Sequence, residues 1–235
     1  MKMEAEIIFE PHVPNALRRA LEYATHSGIR HRARMTKPNL VLDAMGVIYR
    51  SCDDVAELLV PFIQERTRIS SIDIKKNYHS ASLGHISSSV FWENVGLDDS
   101  VEDEYLLEHS LTPGLLPFLR DVREDVDSIW CLLNDVSEWL RKLRERFGIA
   151  GLFDGFVISG DVGMRKPDTN IYKESLKTSR LGAAEIIFVD DRPKNLTAAT
   201  ELGLSSVLFG ADPDANSVTM ERVVSFSELL TILRF

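Results

Sequence analysis

The sequence predicts a doubly wound α/β fold, a parallel-sheet core with a small helical domain inserted after its first strand. Three features point there. Short apolar runs without polar alternation read as strands buried on both faces. Most of the stretches between them are amphipathic and end in glycine, as crossover helices do. Between the first run and the second, the chain shows helical patterning alone.

The first run is NLVLD (39–43), which breaks at Asp43 and is followed by a glycine turn at Gly46. From 52 to about 118, DDVAELLVPFIQERTR, SIDIKKNYHSASLG, SSSVFWENVGL and VEDEYLLEHS are helix-like with no strand between them, and they form the expected insertion. The core then resumes with SIWCLLN (128–134), GFVIS (155–159), EIIFVDD (185–191) and SSVLF (205–209). The helix DVSEWLRKLRERFG has a capping-box pattern, Asp135 with Glu138, and stops on Gly148. NIYKESLKTSRLG and KNLTAATELG stop on Gly182 and Gly203 in the same way. The expected division is therefore 1–37 as an N-terminal extension, 38–51 with 119–235 as the core, and 52–118 as the insertion.

At 235 residues, 44% hydrophobic and 27% charged, the chain has the composition of an ordinary globular protein with a sizeable interior. Its 36 acidic against 27 basic side chains leave a net charge of −9, which disfavours nucleic acid or an anionic membrane as partner. No apolar run approaches the roughly 20 residues that span a bilayer, and Glu4, Glu6 and Glu10 interrupt the start where a signal peptide needs an apolar stretch. Cys52 and Cys131 lack the spacing of a zinc site or disulfide framework. A cytoplasmic protein, monomer or homodimer, is expected. The basic stretch RRALEYATHSGIRHRARMTK offers either a solvated face or a docking arm.

In an open α/β sheet, ligands sit outside the carboxyl ends of the strands. Asp43, Asn134, Ser159 with Asp161, and the pair Asp190–Asp191 all fall at such ends. Carboxylates gathered at one rim repel each other, and a bound cation relieves the repulsion. Hard oxygen ligands select Mg²⁺, which also bridges to phosphate. Lys166, in GMRKPD, adds an ammonium beside the carboxylates and is suited to clamping an anion.

These four stretches, VLDAMGV, LLNDVSEW, GMRKPD and FVDDRPKN, resemble the motifs of the haloacid dehalogenase-like hydrolase superfamily over 39 to about 210. The resemblance implies a Rossmann-like core and a small helical cap over 52–118. It implies an aspartyl ester on Asp43, Lys166 neutralising charge, and Asn134, Lys166 and Gly46 at the substrate. It further implies Mg²⁺ held by Asp43, the Met45 carbonyl, Asp190 and Asp191, with Asp191 direct and Asp190 through water. The substrate would be a small phosphorylated metabolite and the activity that of a phosphatase.

Two positions depart from the family's pattern. Met45 stands where a second aspartate usually protonates the leaving group, a function worth about 10²- to 10⁴-fold. Leu133 stands where a hydroxyl usually touches phosphate, and one lost oxyanion donor costs roughly 2.7–4 kcal/mol. A catalytically impaired binder of metal and phosphate therefore remains an alternative, as do a dehalogenase and a phosphonate hydrolase using Lys75 or Lys76. His79 and His85 are candidates for a replacement acid, while Trp92, Trp130 and Trp139 are expected to pack structural interfaces.

Overall fold

The computed structural model describes residues 37–210 and 220–234. The expected extension over 1–37 lies, but for its last residue, outside the described residues. The core is a six-stranded, all-parallel sheet in the order β3-β2-β1-β4-β5-β6. It is built from β1 Asn39–Leu42, β2 Ser128–Leu133, β3 Gly155–Ile158, β4 Ile186–Asp190, β5 Ser205–Phe209 and β6 Glu221–Val223.

The strands lack alternation because both faces are covered. Leu40 and Leu42 join the larger apolar cluster on one side, whereas Val41 joins Phe188, Tyr172 and Leu196 on the other. Five strands lie where the apolar runs place them. β6 was not expected, since three residues with an exposed Glu221 at a sheet edge carry almost no periodicity.

Between β1 and β2 the chain is helical. A wide turn at Val55–Leu59 leads into α1 Val60–Gln64, followed by α2 Ser71–Ala81, α3 Ser88–Asn94, α4 Glu102–Leu107 and α5 Leu115–Asp121. Ser70 and Ser87 begin α2 and α3 by accepting the amides of Asp73 and Val90. Residue 118 falls inside α5, whose Phe118 stacks on Phe226 at 4.8 Å between ring centroids.

The later helices are α6 Ser137–Phe147, α7 Ser159–Val162, α8 Thr169–Ser179, α9 Pro193–Glu201 and α10 Phe226–Leu233. α6 ends on Gly148 at φ +64°, as expected. Its start differs: the N-cap is Val136, and no side chain caps it. The Asp135 carboxylate instead accepts from Tyr78 Oη and the Val136 amide, while Glu138 Oε1 accepts from the Ser88 amide. Both members of the expected capping box are thus used to tie the insertion to the core. α8 likewise stops before its glycine, with Arg180 in the left-handed conformation at φ +61°. Gly182 opens the following turn, its amide held by Glu185 Oε2 at 2.8 Å.

The insertion also grips the core through a buried carboxylate. Glu102 on α4 accepts from the indole N–H of Trp92 on α3 (3.0 Å) and of Trp139 on α6 (2.9 Å), with Lys142 Nζ at 2.9 Å. Phe91, Tyr105 and Tyr78 ring this pair of indoles. Trp92 and Trp139 therefore do pack interfaces, and a carboxylate organises them. No helix of the described residues is long and apolar enough to cross a membrane.

Glu102→Ala strands two buried indole donors and is expected to cost roughly 2–5 kcal/mol. Glu102→Gln, which keeps one acceptor oxygen, should cost less. Urea denaturation of both variants measures this, and equal costs for the two would contradict a hydrogen-bonding role.

Candidate functional site

β1 and β4 are neighbours in register, Leu42 beside Val189, and the Asp43 amide continues the pairing by donating to the Val189 carbonyl at 2.9 Å. The next residues, Asp43 just past β1 and Asp190 at the end of β4, consequently stand side by side. Both are buried. Lys166 Nζ lies between them, 2.6 Å from Asp43 Oδ1 and 2.8 Å from Asp190 Oδ2.

Lys166 is itself held by Asn134. The Asn134 amide donates to the Lys166 carbonyl at 2.9 Å, and its Oδ1 accepts from the Lys166 amide at 2.8 Å. Both polar ends of the Asn134 side chain are therefore engaged with the backbone that carries the ammonium. Lys166 precedes a cis peptide bond to Pro167.

Asp190 is saturated. Besides Lys166, its carboxylate accepts from the Arg192 amide (2.8 Å) and, on both oxygens, from Asn195 Nδ2 (3.0 Å). Asn195 was not anticipated. The available signal was a polar residue on the apolar face of α9, beside Leu196, Ala198 and Ala199.

Asp191 is not saturated, for its Oδ1 is buried without a hydrogen-bond partner and the Arg192 guanidinium stands 3.9 Å away. Asp43, Asp190 and Asp191 each present an oxygen within 4.8 Å of the others. Burial first, then the charges of Asp43 and Asp190, push Asp191 up to about 8 against the pull of Arg192 and Lys166. Burial and Asp190 raise Asp43 to about 6, with Lys166 opposing. Burial alone would lower Lys166, but Asp190 and Asp43 outweigh it and its pKa is raised.

Three carboxylates facing one ammonium, with a buried oxygen left over, fit a divalent cation with oxygen ligands such as Mg²⁺. Gly46 fits the same reading. At φ +79° it adopts a backbone conformation that side chains rarely take, and a Cβ there would collide with the Asp191 carboxylate. Gly46 was expected at the substrate. Its amide donates to the Tyr49 carbonyl at 2.8 Å, and it is not among the residues lining the cavity. Its lack of a side chain leaves room for the Asp191 carboxylate.

Of the three acids, Asp43 lines a cavity of about 450 Å³, together with Lys166. The lining includes Asp43, Met45, Asn134, Lys166 and Asn195 from the core, and Asp54, Tyr78 and His79 from the insertion. Met45 also belongs to the larger apolar cluster. Leu133 is buried within β2, and neither it nor His85 lines the cavity. Ser159 is used structurally, donating to the Ser82 carbonyl at 2.6 Å, and Asp161 is exposed. Lys75 and Lys76 are also exposed and away from the cavity.

A family model described as haloacid dehalogenase-like hydrolase matches residues 15–203. The sesquiterpene phosphatase astK of Aspergillus oryzae is 37% identical over 86 residues, 37% of this chain and 44% of that protein. A ribulose-1,5-bisphosphate 5-phosphatase of Halopiger xanaduensis is 28% identical over 138 residues, 58% of this chain and 57% of that one. The matched stretches thus span less than two thirds of either relative. A haloacid dehalogenase family enzyme of Bacteroides thetaiotaomicron, solved with magnesium and inorganic phosphate, superposes with a TM-score of 0.61 and 18% identity. That superposition covers 78% of this chain and 99% of that one, and the likeness is one of fold.

The raised acids set a sign for pH dependence. Folded Asp191 keeps a proton up to about pH 8 that the unfolded chain releases near its ordinary 3.8. Metal-free stability therefore falls as pH rises across that window and levels off above it. A cation favours the ionised acids, so the gain in Tm on adding Mg²⁺ should be larger near about pH 8 than near about pH 5. Thermal unfolding with and without Mg²⁺ checks this, and a gain independent of pH would count against a metal on these carboxylates.

Proposed function

Because the chain belongs to the haloacid dehalogenase-like hydrolases, we propose that it is a Mg²⁺-dependent phosphatase acting on a small phosphorylated metabolite through an aspartyl-phosphate on Asp43. The observation that carries this reading is the clustering of Asp43, Asp190 and Asp191, with Lys166 paired to the first two and Asp43 and Lys166 lining the cavity. Phosphatases among the relatives support the reaction class, and the magnesium and phosphate in a neighbour of the same fold support the ion.

In this reading Asp43 is the nucleophile. Lys166 keeps it ionised despite burial and accompanies the negative charge that develops on the phosphoryl oxygens. Asn134 acts by positioning Lys166, and Asn195 with the Arg192 amide holds Asp190 where it faces Lys166. Asp43, Asp191 and the Met45 carbonyl would hold Mg²⁺ directly, with Asp190 behind them through water. When bound, the ion supplies charge neutralisation to the acids and a second contact for phosphate.

Residues 52–118 act as a cap in the same reading. Asp53, Asp54, Val55, Tyr78 and His79 from this segment line the cavity, so it contributes to substrate choice. Two free thiols, Cys52 and Cys131, suit a cytoplasmic setting. Met45 favours a second reading, a protein that binds metal and phosphate with little turnover.

Release of phosphate from p-nitrophenyl phosphate separates the two. Its leaving group needs little protonation, so turnover should depend on Mg²⁺, vanish with a chelator, and fall by more than about 10³-fold in Asp43→Asn. Phosphate binding without any turnover would establish the second reading instead.

A further inference from the structure

Met45 leaves the site without the carboxyl that usually protonates a leaving oxygen, yet the cavity holds other acids. Most are already engaged. Asp168 Oδ1 caps α8 by accepting the Asn170 amide, and Asp53 Oδ1 accepts the Ala56 amide; both side chains belong to exposed residues. Tyr78 donates its hydroxyl to Asn134 and Asp135, and His79 is exposed.

Asp54 differs from all of these. It begins the wide helical turn Val55–Leu59 without capping it by a side-chain hydrogen bond, it is 4% exposed, and its Oδ2 is buried without a partner. A buried oxygen left unpaired in a polar cavity is unfavourable, at the cost of its lost hydration. That cost disappears when the oxygen carries a proton and a bound molecule accepts it. The segment is anchored beside the acids, since Arg192 Nη2 donates to the Cys52 carbonyl at 2.9 Å.

We propose, resting on the phosphatase reading above, that Asp54 gives and takes the proton that Met45 cannot. In the first step Asp43 bonds to phosphorus, the bond from phosphorus to the leaving oxygen breaks, and the Asp54 carboxyl proton passes to that oxygen. In the second, water attacks phosphorus, its proton passes to the Asp54 carboxylate, and the Asp43–phosphorus bond breaks to release inorganic phosphate. Both residues return to their starting forms.

The surroundings of Asp54 keep it protonated at the start. Burial, with the charge of Asp53, pushes it up to about 7, against the Val55 amide, Arg192 and Arg165. Asp135 from the β2–α6 loop, Tyr78 from α2 and Tyr105 from α4 also feel its charge. A carboxyl that changes state near neutrality is suited to both halves of the cycle.

The test compares phenyl phosphate, a poor leaving group, with p-nitrophenyl phosphate, using the full chain with Mg²⁺. In Asp54→Asn, kcat for phenyl phosphate should fall about 10²- to 10⁴-fold with KM little changed. The nitrophenyl ester should still give a burst of one nitrophenolate per chain, followed by slow turnover as phosphate accumulates on Asp43. Asp54→Ser carries the same expectation in a smaller volume, and Asp54→Glu should recover part of the rate. Wild-type kcat on both esters in Asp54→Asn, or equal loss of burst and steady state, would overturn the role of Asp54 and leave the phosphatase reading intact. A wild-type chain that turns over neither ester would overturn both.

Discussion

The buried ammonium of Lys166 between Asp43 and Asp190 is the contact on which the site depends. Parallel neighbours in a sheet run about 4.8 Å apart, and the β1–β4 register brings Asp43, one step past β1, beside Asp190, the last residue of β4. Two buried carboxylates so placed are tolerable only with a cation between them. Lys166 supplies one charge, Asp191 adds a third acid, and the remaining imbalance is what a divalent ion would correct. Asn134, Asn195 and Gly46 all serve this arrangement, by holding the ammonium, holding one acid and making space for another.

The helical insertion is bound to the core by polar contacts in an apolar setting. Glu102 joins Trp92 of the insertion to Trp139 of the core, and Tyr78 reaches Asp135 immediately after β2. Because Asp135 follows Asn134, which clasps Lys166, the contact that seats the insertion lies one residue from the contact that seats the ammonium. The roof and floor of the cavity thus share one short stretch of backbone, which ties the position of the insertion to the geometry of the site.

Met45 shifts where the chemistry resides. Met45 is committed to the apolar cluster, so in the proposed reading the proton exchanged with a ligand resides on Asp54 of the insertion. Specificity and proton transfer would then depend on the same segment, whereas Asp43 stands just past the end of β1 and its counter-charge Lys166 in the loop between α7 and α8.

The sheet, the helices of the insertion and the four strand-end motifs were legible in the sequence, because apolar runs buried on both faces and acids at their ends leave a strong local signal. Asp43, Asp190 and Asp191 could be singled out for that reason, and the structure gathers them with Lys166 of the GMRKPD stretch into one cluster. Helix ends were less legible: Asp135 and Glu138 match a capping box in sequence but are drawn to Tyr78 and Ser88, as a tertiary contact can override a local one. Asn195 facing Asp190, Gly46 yielding to Asp191, and Asp54 buried with a spare oxygen had no local signal strong enough to find them. Each is defined by what approaches it from a distant part of the chain, and only the packing of the insertion and α9 against the strand ends decides that.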